Sequence, residues 1–453
     1  MGSFKRMAYG IACIFLVAGI AKADDVIHFL DWAPTPPMGW NSWDCYGAAV
    51  TEQQTRANAD YMAAHLAKHG WQYIVVDIQW YEPTANGWEY HPGAKLEMDQ
   101  YGRLLPAVNR FPSAAHGKGF KPLADYVHSK GLKFGVHLLR GIPRQAVAAN
   151  TPILGSTAHA ADIADKSSVC KWNTDMYGVD MNKPGAQEYY DSIYSQLAGW
   201  GVDFVKVDDL SRPYHKKEIH AIREAIDKSG RPMVFSTSPG PTPLDEAADI
   251  SANANLWRIS DDLWDRWPLL KEQFQRCADW AKYSGGGHYP DADMLPLGAI
   301  LVPRNPQGGP STHFTHDEQR TMMTLWSICR SPLIYGGDLP RMDPFTLSLL
   351  TNDEVIAVDQ HSSGGREIFR TDDLIAWTAY VPGSDDRYLA VFNSAEGDPT
   401  AILVSLNQFG FTCPCKVRDL WKRQDVGVVY EEFAPVIPSH GAGLYRISPM
   451  GNH

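Results

Sequence analysis

Short apolar segments alternate with amphipathic stretches from about Met38 to Leu339, and this alternation constrains the fold more than any other feature. Helical patterns such as Glu52–His69 and Ala186–Trp200 separate several of the apolar segments. Repeated strand–helix units indicate a parallel sheet. Roughly eight units within about 300 residues predict a closed (β/α)8 barrel, the TIM barrel, rather than an open sheet. Six apolar segments have the length of strands: Tyr73–Val76, Lys133–His137, Asp203–Val207, Met233–Ser236, Leu256–Ile259 and Pro332–Tyr335.

The pattern changes after Asp353, where no long helical pattern interrupts a series of short apolar runs. Gly, Asp or Pro separates these runs, as is typical of antiparallel sheets. We therefore expect a catalytic barrel over residues 24–348 and a C-terminal antiparallel β-sandwich over residues 349–453. The runs read as strands are VIAVDQ, LIAWTAYV, RYLAVFNS, TAILVSL and GAGLYRI.

The first 23 residues have the pattern of a signal peptide. Lys5 and Arg6 precede an apolar segment, and a small-x-small cleavage site, Ala-Lys-Ala, ends before Asp24. A membrane anchor is the alternative, but the apolar segment is short for a membrane span. We expect export to the periplasm or the exterior, with no membrane association of the mature chain. Removal of Cys13 leaves six cysteines, which permits disulfides but fixes no pair.

The overall charge limits the classes of binding partner. The formal net charge is −11 and the sequence has no basic patch, so nucleic acids and anionic membranes are poor candidates. The chain contains 15 Trp and 20 Tyr, and aromatic rings that fill cores also stack on the faces of sugars. The sequence leaves the oligomeric state open.

The stretch FVKVDD, from Phe204 to Asp209, places a lysine and two aspartates at the end of a predicted strand. Strand alternation puts Lys206 and Asp208 on one face, and Asp209 on the other. Asp208 would lie at the carboxyl end of the strand, where barrel enzymes hold their chemistry. A buried Lys206–Asp208 pair that only stabilises the barrel fits the physics of this sequence equally well.

Two other predicted strands end in the same way. Asp77 follows YIVV, and Asp261 and Asp262 follow a strand that contains Arg258. Retaining glycosidases use an ionised nucleophile and a protonated acid about 5–5.5 Å apart. A nearby lysine would keep Asp208 ionised. Sequence physics alone does not choose the acid among Asp261, Asp262 and Asp265.

Six motifs in collinear order resemble the melibiase-type α-galactosidases, glycoside hydrolase family 27. The resemblance implies a retaining exo-glycosidase that needs no metal or cofactor and acts on carbohydrate. It implies Asp208 as nucleophile and Asp262 as acid/base. The motifs are PPMGWNSWD, YIVVDIQWYEP, KFGVHLLRGIPRQAV, WGVDFVKVDD, RISDDLWDRW and YPDADMLPLG. The residues that this resemblance places around the sugar are Trp43, Asp77, Lys206, Arg258 and Met294.

Core packing is the alternative for Trp43 and Met294, and it fits the sequence equally well without the resemblance.

Three other sugar-site positions depart from the family pattern. Ile78 stands where typical members have a second aspartate, His137 where a tyrosine is usual, and Ser238 where many galactosidases have glutamate. A serine there also occurs in α-N-acetylgalactosaminidases, but the Pro-Gly-Pro that follows Ser238 differs from their pattern. Two typical disulfides lack partners, because the cysteine positions are occupied by Ala48, Gln79 and Leu210.

The stretch HLLRGIPRQAV resembles a branch of the family that includes β-L-arabinopyranosidases. β-L-Arabinopyranose has the ring hydroxyls of α-D-galactose but lacks its hydroxymethyl group, and Ile78 suits such a sugar. We therefore predict hydrolysis of terminal α-D-galactosyl groups, β-L-arabinopyranosyl groups, or both. The alternatives are an arabinopyranosidase proper, an α-N-acetylgalactosaminidase, a non-catalytic sugar-binding barrel and a metal-dependent barrel hydrolase. A metal-dependent hydrolase would need a His/carboxylate cluster at a strand end, which this sequence lacks.

Overall fold

A computed structural model describes Gly2 and residues 28–304 and 311–451. Eight parallel strands form one sheet in the order β7-β6-β5-β4-β3-β2-β1-β8, and a bridge between Leu295, just after β7, and Tyr335 of β8 brings the two edges together. The predicted barrel is confirmed. The rest of the predicted signal peptide, with Cys13, lies outside the described residues. The strands are β1 (Met38–Asn41), β2 (Tyr73–Val76), β3 (Lys133–Leu139), β4 (Phe204–Asp208), β5 (Val234–Thr237), β6 (Leu256–Arg258), β7 (Tyr289–Asp291) and β8 (Leu333–Tyr335).

Strands β1 and β7 were not among the six apolar segments of the sequence. Their sequences are MGWN and YPD, so each is short and contains Gly, Pro or a polar residue. The local sequence has little preference for a strand, but β1 is hydrogen-bonded to both β2 and β8, and this pairing stabilises it as a strand.

Helices of very different lengths connect the barrel strands. The helix predicted over Ala186–Trp200 has those bounds. The one predicted over Glu52–His69 ends at His65 and is followed by a separate 3-10 turn. Its start is fixed by a capping box between Thr51 and Gln54. The α-helices from the barrel to its C-terminal boundary are Trp43–Tyr46, Glu52–His65, Lys121–Ser129, Arg144–Ala149, Ala160–Ile163, Ala186–Trp200, Lys216–Lys228, Ala247–Ser251, Trp267–Trp280, His316–Cys329, Pro344–Leu350 and Asp353–His361.

Alternate residues of the barrel strands face its interior. Phe204 packs in a small interior cluster with Tyr73 and Val75, whereas Val205 and Val207 belong to the large cluster that contains the helices. Since side chains alternate along a strand, Lys206 and Asp208 point inward with Phe204. The floor of the barrel is therefore apolar, and polar side chains fill its carboxyl end.

A long excursion follows β3 before the chain returns to the helix Ala186–Trp200. It contains a three-stranded antiparallel sheet formed by Ile142–Pro143, Met176–Val179 and Ala164–Asp165. This excursion starts at the carboxyl end of β3, so it lies beside the mouth of the barrel.

The C-terminal domain is the predicted antiparallel β-sandwich. Its main sheet has the strand order β9-β10-β11-β14-β12-β13, and two two-stranded pairs lie against it. Those pairs join Thr400–Ala401 to Val436–Ile437 and Val404–Ser405 to Glu432–Phe433. The main strands are β9 (Ser363–Thr371), β10 (Leu374–Tyr380), β11 (Arg387–Asn393), β12 (Cys415–Asp419), β13 (Gln424–Val429) and β14 (Ala442–Pro449).

The run VIAVDQ is not a strand, which corrects the prediction from the sequence. It lies in the helix Asp353–His361 and buries Val355, Ile356 and Val358. The side chain of Asn352 caps this helix by accepting from the backbone N–H groups of Glu354 and Val355. A short apolar run has no period that separates a strand from a buried helix, and the cap is the signal that was missed.

Contacts centred on His440 join the two domains. Its imidazole stacks on the indole of Trp267, with ring centroids 3.8 Å apart. Its Nδ1 lies 2.8 Å from Glu318 Oε1, and its carbonyl accepts a hydrogen bond from Thr321. The six cysteines from Cys45 onward are all free thiols. No helix within the described part of the chain is long and apolar enough to span a membrane.

Candidate active site

A pocket of about 800 Å³ opens at the carboxyl end of the barrel. Seven of the ten site residues proposed from the sequence line it: Trp43, Asp77, Ile78, Lys206, Asp208, Asp262 and Met294. They come from the ends of β1, β2, β4, β6 and β7, which is where barrel enzymes hold their functional side chains. The barrel therefore brings together residues that are more than 200 positions apart in the chain.

Asp208 ends β4 and is held by two side chains. His137 Nε2 lies 3.0 Å from Asp208 Oδ2, and Lys206 Nζ lies 3.7 Å from Oδ1. Burial disfavours the charged form, but the Lys206 ammonium and the His137 imidazole outweigh it and hold the pKa of this carboxyl well below its ordinary value. Asp208 is therefore an ionised carboxylate at the floor of the pocket.

Asp77 shares the same lysine. Lys206 Nζ donates a 3.0 Å hydrogen bond to Asp77 Oδ2, which also accepts from Asn41 Nδ2 at 2.7 Å. Burial lowers the pKa of the Lys206 ammonium, but the nearby Asp208 and Asp77 carboxylates reverse this and raise it. Lys206 thus stays charged and fixes Asp77 and Asp208 as a pair of acceptors facing the pocket.

Asp262 differs from Asp208 in its exposure. Its side chain is 54% exposed, and its Oδ1 lies 3.3 Å from Arg258 Nη2. The neighbouring Asp261 forms an exposed ion pair with Arg212, and Asp265 accepts from the backbone of His313. Asp261 and Asp262 line the pocket and Asp265 does not, so the geometry narrows the three candidates to two.

Asp209 follows the last residue of β4 and also lines the pocket, but its carboxylate has a different partner from Asp208. Its Oδ2 accepts from Arg140 Nη2 at 2.7 Å, and Arg140 also binds Glu218. The φ of Asp209 is 64°, in the left-handed region where the strand ends. Asp209 therefore anchors the turn after β4 to the helix Lys216–Lys228.

Three residues proposed to contact the sugar lie one layer below the pocket surface. His137 and Ser238 are fully buried, and Arg258 is nearly so. Arg258 Nη1 donates to Ser238 Oγ at 3.4 Å, and Arg258 Nη2 lies 2.7 Å from Asp293 Oδ2. Contact of these three with a substrate stays a prediction, and in the structure they support the residues that face the pocket.

Sequence reasoning did not single out Asp293, Tyr90 or Trp172. Asp293 follows β7 and accepts from the backbone N–H groups of Leu263 and Met294. The signal for it was present, because YPDAD places aspartates after a strand as at Asp77. Tyr90 and Trp172 lie in loops without periodicity, and only the high aromatic content pointed to them.

Two carboxyl groups, the ionised Asp208 and the more exposed Asp262, line one barrel pocket, and most glycoside hydrolases use such a pair of Asp or Glu residues. Within the described residues, no group of three or more His, Cys, Asp or Glu side chains could hold a metal ion. The fold and the site together define a barrel glycoside hydrolase.

Comparison with known proteins identifies the family. The model described as alpha galactosidase A matches residues 35–182 and 172–361, and that of the alpha galactosidase C-terminal beta sandwich domain matches residues 371–447. An α-galactosidase of Cyamopsis tetragonoloba is 31% identical over 92% of this chain and 86% of its own length. The chain belongs to the α-galactosidase family, glycoside hydrolase family 27, which confirms the resemblance and the carbohydrate substrate class.

Two solved structures are more similar still. A β-L-arabinopyranosidase of this family from Geobacillus stearothermophilus is 55% identical, with a TM-score of 0.91 over 94% of this chain and 99% of that one. A variant of that protein has been solved in complex with arabinose. A putative α-N-acetylgalactosaminidase from Bacillus halodurans is 50% identical, with a TM-score of 0.83 over 92% of this chain and 97% of that one.

Proposed function

We propose that this chain is a retaining exo-glycosidase that releases terminal β-L-arabinopyranosyl groups and accepts α-D-galactosyl groups at the same site. The observation that carries the choice of sugar is the position of Ile78. This apolar side chain lines the pocket beside Asp77, at the position where family members typically have an acceptor for galactose's hydroxymethyl end. The 55% identity to an arabinopyranosidase supports the same choice.

The proposed reaction is a double displacement. Asp208 attacks the anomeric carbon as the glycosidic bond breaks, and the Asp262 carboxyl gives its proton to the departing oxygen. Water then attacks the glycosyl–enzyme ester, Asp262 takes the proton from this water, and the Asp208 carboxylate is released. The two steps restore both carboxyl groups and yield a sugar of unchanged anomeric configuration.

The environments of the two carboxyl groups support these roles. A nucleophile must be ionised, and the Lys206 and His137 contacts favour the charged form of Asp208. An acid/base must reach the departing oxygen in the first step and the attacking water in the second, and Asp262 is the more exposed of the two carboxyl groups.

The polar end of the pocket suits hydroxyls that the two sugars share. At the floor of the pocket the Asp77 carboxylate offers hydrogen-bond acceptors and the Lys206 ammonium offers a donor. β-L-Arabinopyranose and α-D-galactose present equivalent ring hydroxyls, so this end would accept both. Discrimination then falls on the apolar surface of Ile78, which meets the position of the hydroxymethyl group.

The described pocket gives no support to a preference for N-acetylgalactosamine. Ser238, which would make room for an acetamido group, is fully buried and lies against Arg258. Pro239 and Gly240 form that part of the wall instead.

Turnover of p-nitrophenyl β-L-arabinopyranoside and p-nitrophenyl α-D-galactopyranoside, measured side by side, tests the proposal. We expect both to be hydrolysed, with the higher kcat/KM for the arabinoside. NMR of the first-formed sugar should show the anomer of the substrate. A galactoside preference of a hundredfold or more would overturn the assigned sugar, and an inverted product would overturn the mechanism.

A further inference from the structure

Two cysteine side chains meet between neighbouring helices of the barrel. Cys277 lies in the helix Trp267–Trp280, and Cys329 is the last residue of the helix His316–Cys329. Cys329 Sγ lies 3.5 Å from Cys277 Sγ. A disulfide bond is about 2.05 Å long, so a small rotation about each Cα–Cβ bond would bring the two sulfur atoms to bonding distance. The fold therefore places in contact two thiols that are 52 positions apart in the chain.

Two other thiols contact backbone oxygen atoms instead. Cys45 Sγ lies 3.5 Å from the carbonyl oxygen of Ser42, and Cys415 Sγ lies 3.5 Å from that of Cys413. The contact between Cys277 and Cys329 thus selects one pair from six cysteines that the sequence alone left unassigned.

The two thiols differ in their access to solvent. Cys277 is only 2% exposed, whereas Cys329 is half-buried. The contact with Cys329, together with burial, raises the pKa of the Cys277 thiol well above its ordinary value. The thiolate is the form of cysteine that attacks a disulfide. Cys329 is therefore the thiol that an oxidant meets first, and Cys277 is the one that closes the bond.

The pair lies where the barrel meets the C-terminal domain. A Cβ added at Gly365, in β9, would lie 2.5 Å from the carbonyl oxygen of Ile328, so β9 packs closely against the end of the helix that carries Cys329. Arg330, the residue after Cys329, donates a hydrogen bond to the carbonyl oxygen of Asp359. A bond between the two thiols would therefore fix the end of this helix at the domain junction.

The same bond would close a loop that contains part of the active site. The chain between Cys277 and Cys329 includes β7, Asp293 and Met294. Trp326, one turn before Cys329, donates from its indole N–H to the carbonyl oxygen of Asp293. A cross-link limits the conformations of the unfolded chain, and its effect grows with the length of the closed loop. The bond would thus stabilise the segment that supplies Met294 to the pocket.

The predicted location of the chain suits such a bond. The first 23 residues have the pattern of a signal peptide, which predicts export. Disulfides form and persist in exported proteins, whereas thiols stay reduced in the cytosol. We propose that Cys277 and Cys329 form a disulfide bond in an oxidising compartment and that this bond stabilises the barrel at its junction with the C-terminal domain. This proposal is independent of which sugar the chain releases.

The bond forms by two exchange steps with a disulfide oxidant, either a thiol–disulfide oxidoreductase or oxidised glutathione. The Cys329 thiolate attacks the disulfide of the oxidant, which gives a mixed disulfide and releases one thiol. The Cys277 thiol then loses its proton, and its sulfur attacks Cys329 Sγ and displaces the second thiol. Two electrons pass from the cysteines to the oxidant, whose disulfide becomes two thiols.

Thiol counting and peptide mapping of the wild-type chain test the bond directly. After treatment with oxidised glutathione, the six cysteines that follow the predicted signal peptide should give four thiols in denaturant, because two are joined. A digest should contain the Cys277 peptide linked to the Cys329 peptide, and dithiothreitol should restore all six thiols. Six thiols after oxidation, or a link between other cysteines, would overturn the proposal.

Two single variants test the order of the steps. In Cys277→Ser, Cys329 has no partner and should retain one glutathione as a mixed disulfide, which mass spectrometry detects. In Cys329→Ser, the buried Cys277 should retain less than a tenth as much. Equal labelling of the two variants would contradict the assignment of Cys329 as the attacking thiol.

The melting temperature tests what the bond does. Reduction of the oxidised wild type should lower it by about 3–8 °C, and reductant should leave that of Cys329→Ser unchanged. Cys413→Ser is the matched control, because Cys413 is half-buried like Cys329 and has Cys415 two residues on, so this variant should respond to reductant as the wild type does. A wild type that reductant does not affect, or an equal response in Cys329→Ser, would overturn the stabilising role.

Turnover separates this proposal from the proposed function. Neither Cys277 nor Cys329 lines the pocket, so kcat/KM for p-nitrophenyl β-L-arabinopyranoside should differ by less than twofold between the oxidised and reduced wild type at a temperature where both are folded. A larger change would contradict a bond that acts on stability alone. Absence of turnover in both forms, with the bond present, would overturn the proposed function and leave the disulfide in place.

Discussion

His137 Nε2 lies 3.0 Å from Asp208 Oδ2, and the imidazole is wholly enclosed by the barrel. His137 therefore contacts one oxygen of the carboxylate, and Lys206 Nζ lies 3.7 Å from the other. Both contacts favour the charged form of Asp208. Because His137 lies on β3 and Lys206 and Asp208 lie on β4, the pH range of catalysis depends on the pairing of these two strands.

His137→Ala should move the acidic limb of the kcat/KM profile to higher pH. The pKa of Asp208 in the folded protein lies below its ordinary value of 3.8. Ionised Asp208 therefore stabilises the fold above pH 3.8, and this stabilisation is lost as the pH falls through the pKa of Asp208 in the folded protein. Loss of the imidazole raises the pKa of Asp208 in the folded protein, so Asp208 is ionised over a narrower pH range. We expect kcat/KM to fall about ten- to a hundredfold.

A second His–Asp pair, which joins the helix Lys121–Ser129 to the residue just before β4, provides the control. His128 Nε2 lies 2.7 Å from Asp203 Oδ2, just before β4 begins and far from the pocket. His128→Ala should leave the pH profile unchanged. An unshifted limb in His137→Ala would show that His137 only fills space.

Asp208→Ala should abolish turnover, by roughly 10⁴-fold or more, while the fold persists. Added azide should restore part of the rate and yield the glycosyl azide of inverted configuration, because azide enters where the carboxylate stood. Asp209→Ala is the comparison, since Asp209 binds Arg140 and should affect melting temperature more than chemistry. If Asp209→Ala lost turnover and Asp208→Ala kept it, the assignment by strand alternation would be wrong.

Asp262→Ala should harm substrates with poor leaving groups most. Proton donation contributes about 10²–10⁴-fold to rate, and an activated phenol departs with little of it. A series of aryl glycosides should therefore give a steeper dependence of kcat/KM on leaving-group pKa than the wild type does. Asp261→Ala should give the wild-type slope, because Asp261 is paired with Arg212 at the rim. If Asp262→Ala lowered kcat/KM by the same factor for every glycoside of the series, Asp262 would not be the acid.

The sequence predicted best what depends on local pattern. Alternation along FVKVDD placed Lys206 and Asp208 on the inner face of β4, because strand geometry has a fixed period of two, while the choice of Asp208 over Asp209 as nucleophile stays a prediction. The strands β1 and β7 escaped detection because MGWN and YPD become strands only through their neighbours. The helix Asp353–His361 was read as a strand because four apolar residues in six have no clear period.

The sequence predicted fewer features of the site than of the fold. Residues at strand ends, such as Asp77 and Asp262, carry a positional signal that one sequence can show. The burial of Ser238 behind Arg258 depends on how β5 packs against β6, and no local pattern encodes it. Tyr90 contacts Trp43, at the start of a short helix, and Trp172, in the excursion after β3, so this aromatic cluster follows only from the assembled fold.

His440→Ala should destabilise the junction between the domains without changing turnover. It removes a ring stacked on Trp267 and a partner of Glu318, whose combined loss should lower the melting temperature by roughly 3–8 °C. His220→Ala removes an exposed pair with Asp249 and should change it by about 1 °C or less. Calorimetry and kcat/KM on both variants check this. An equal shift in the two variants would contradict a special role for the His440 contacts.

Ile78→Asp should shift sugar preference toward α-galactoside. A site that hydrogen-bonds a hydroxyl rejects the analogue that lacks it by about 10⁴-fold in favourable cases, whereas an apolar wall discriminates only roughly 10–200-fold. The wild-type Ile78 lies in the pocket wall and is 1% exposed, so it can crowd the hydroxymethyl group but cannot bind it. The variant supplies an acceptor there, and Ile78→Val, which stays apolar, is the control and should keep the wild-type preference. The measurement is kcat/KM for both p-nitrophenyl glycosides together with the melting temperature. If Ile78 only packs against the barrel, the new carboxylate is buried without a partner, and the variant loses stability with no change in the ratio. An unchanged ratio with a large drop in melting temperature would therefore discard the role of Ile78 in specificity.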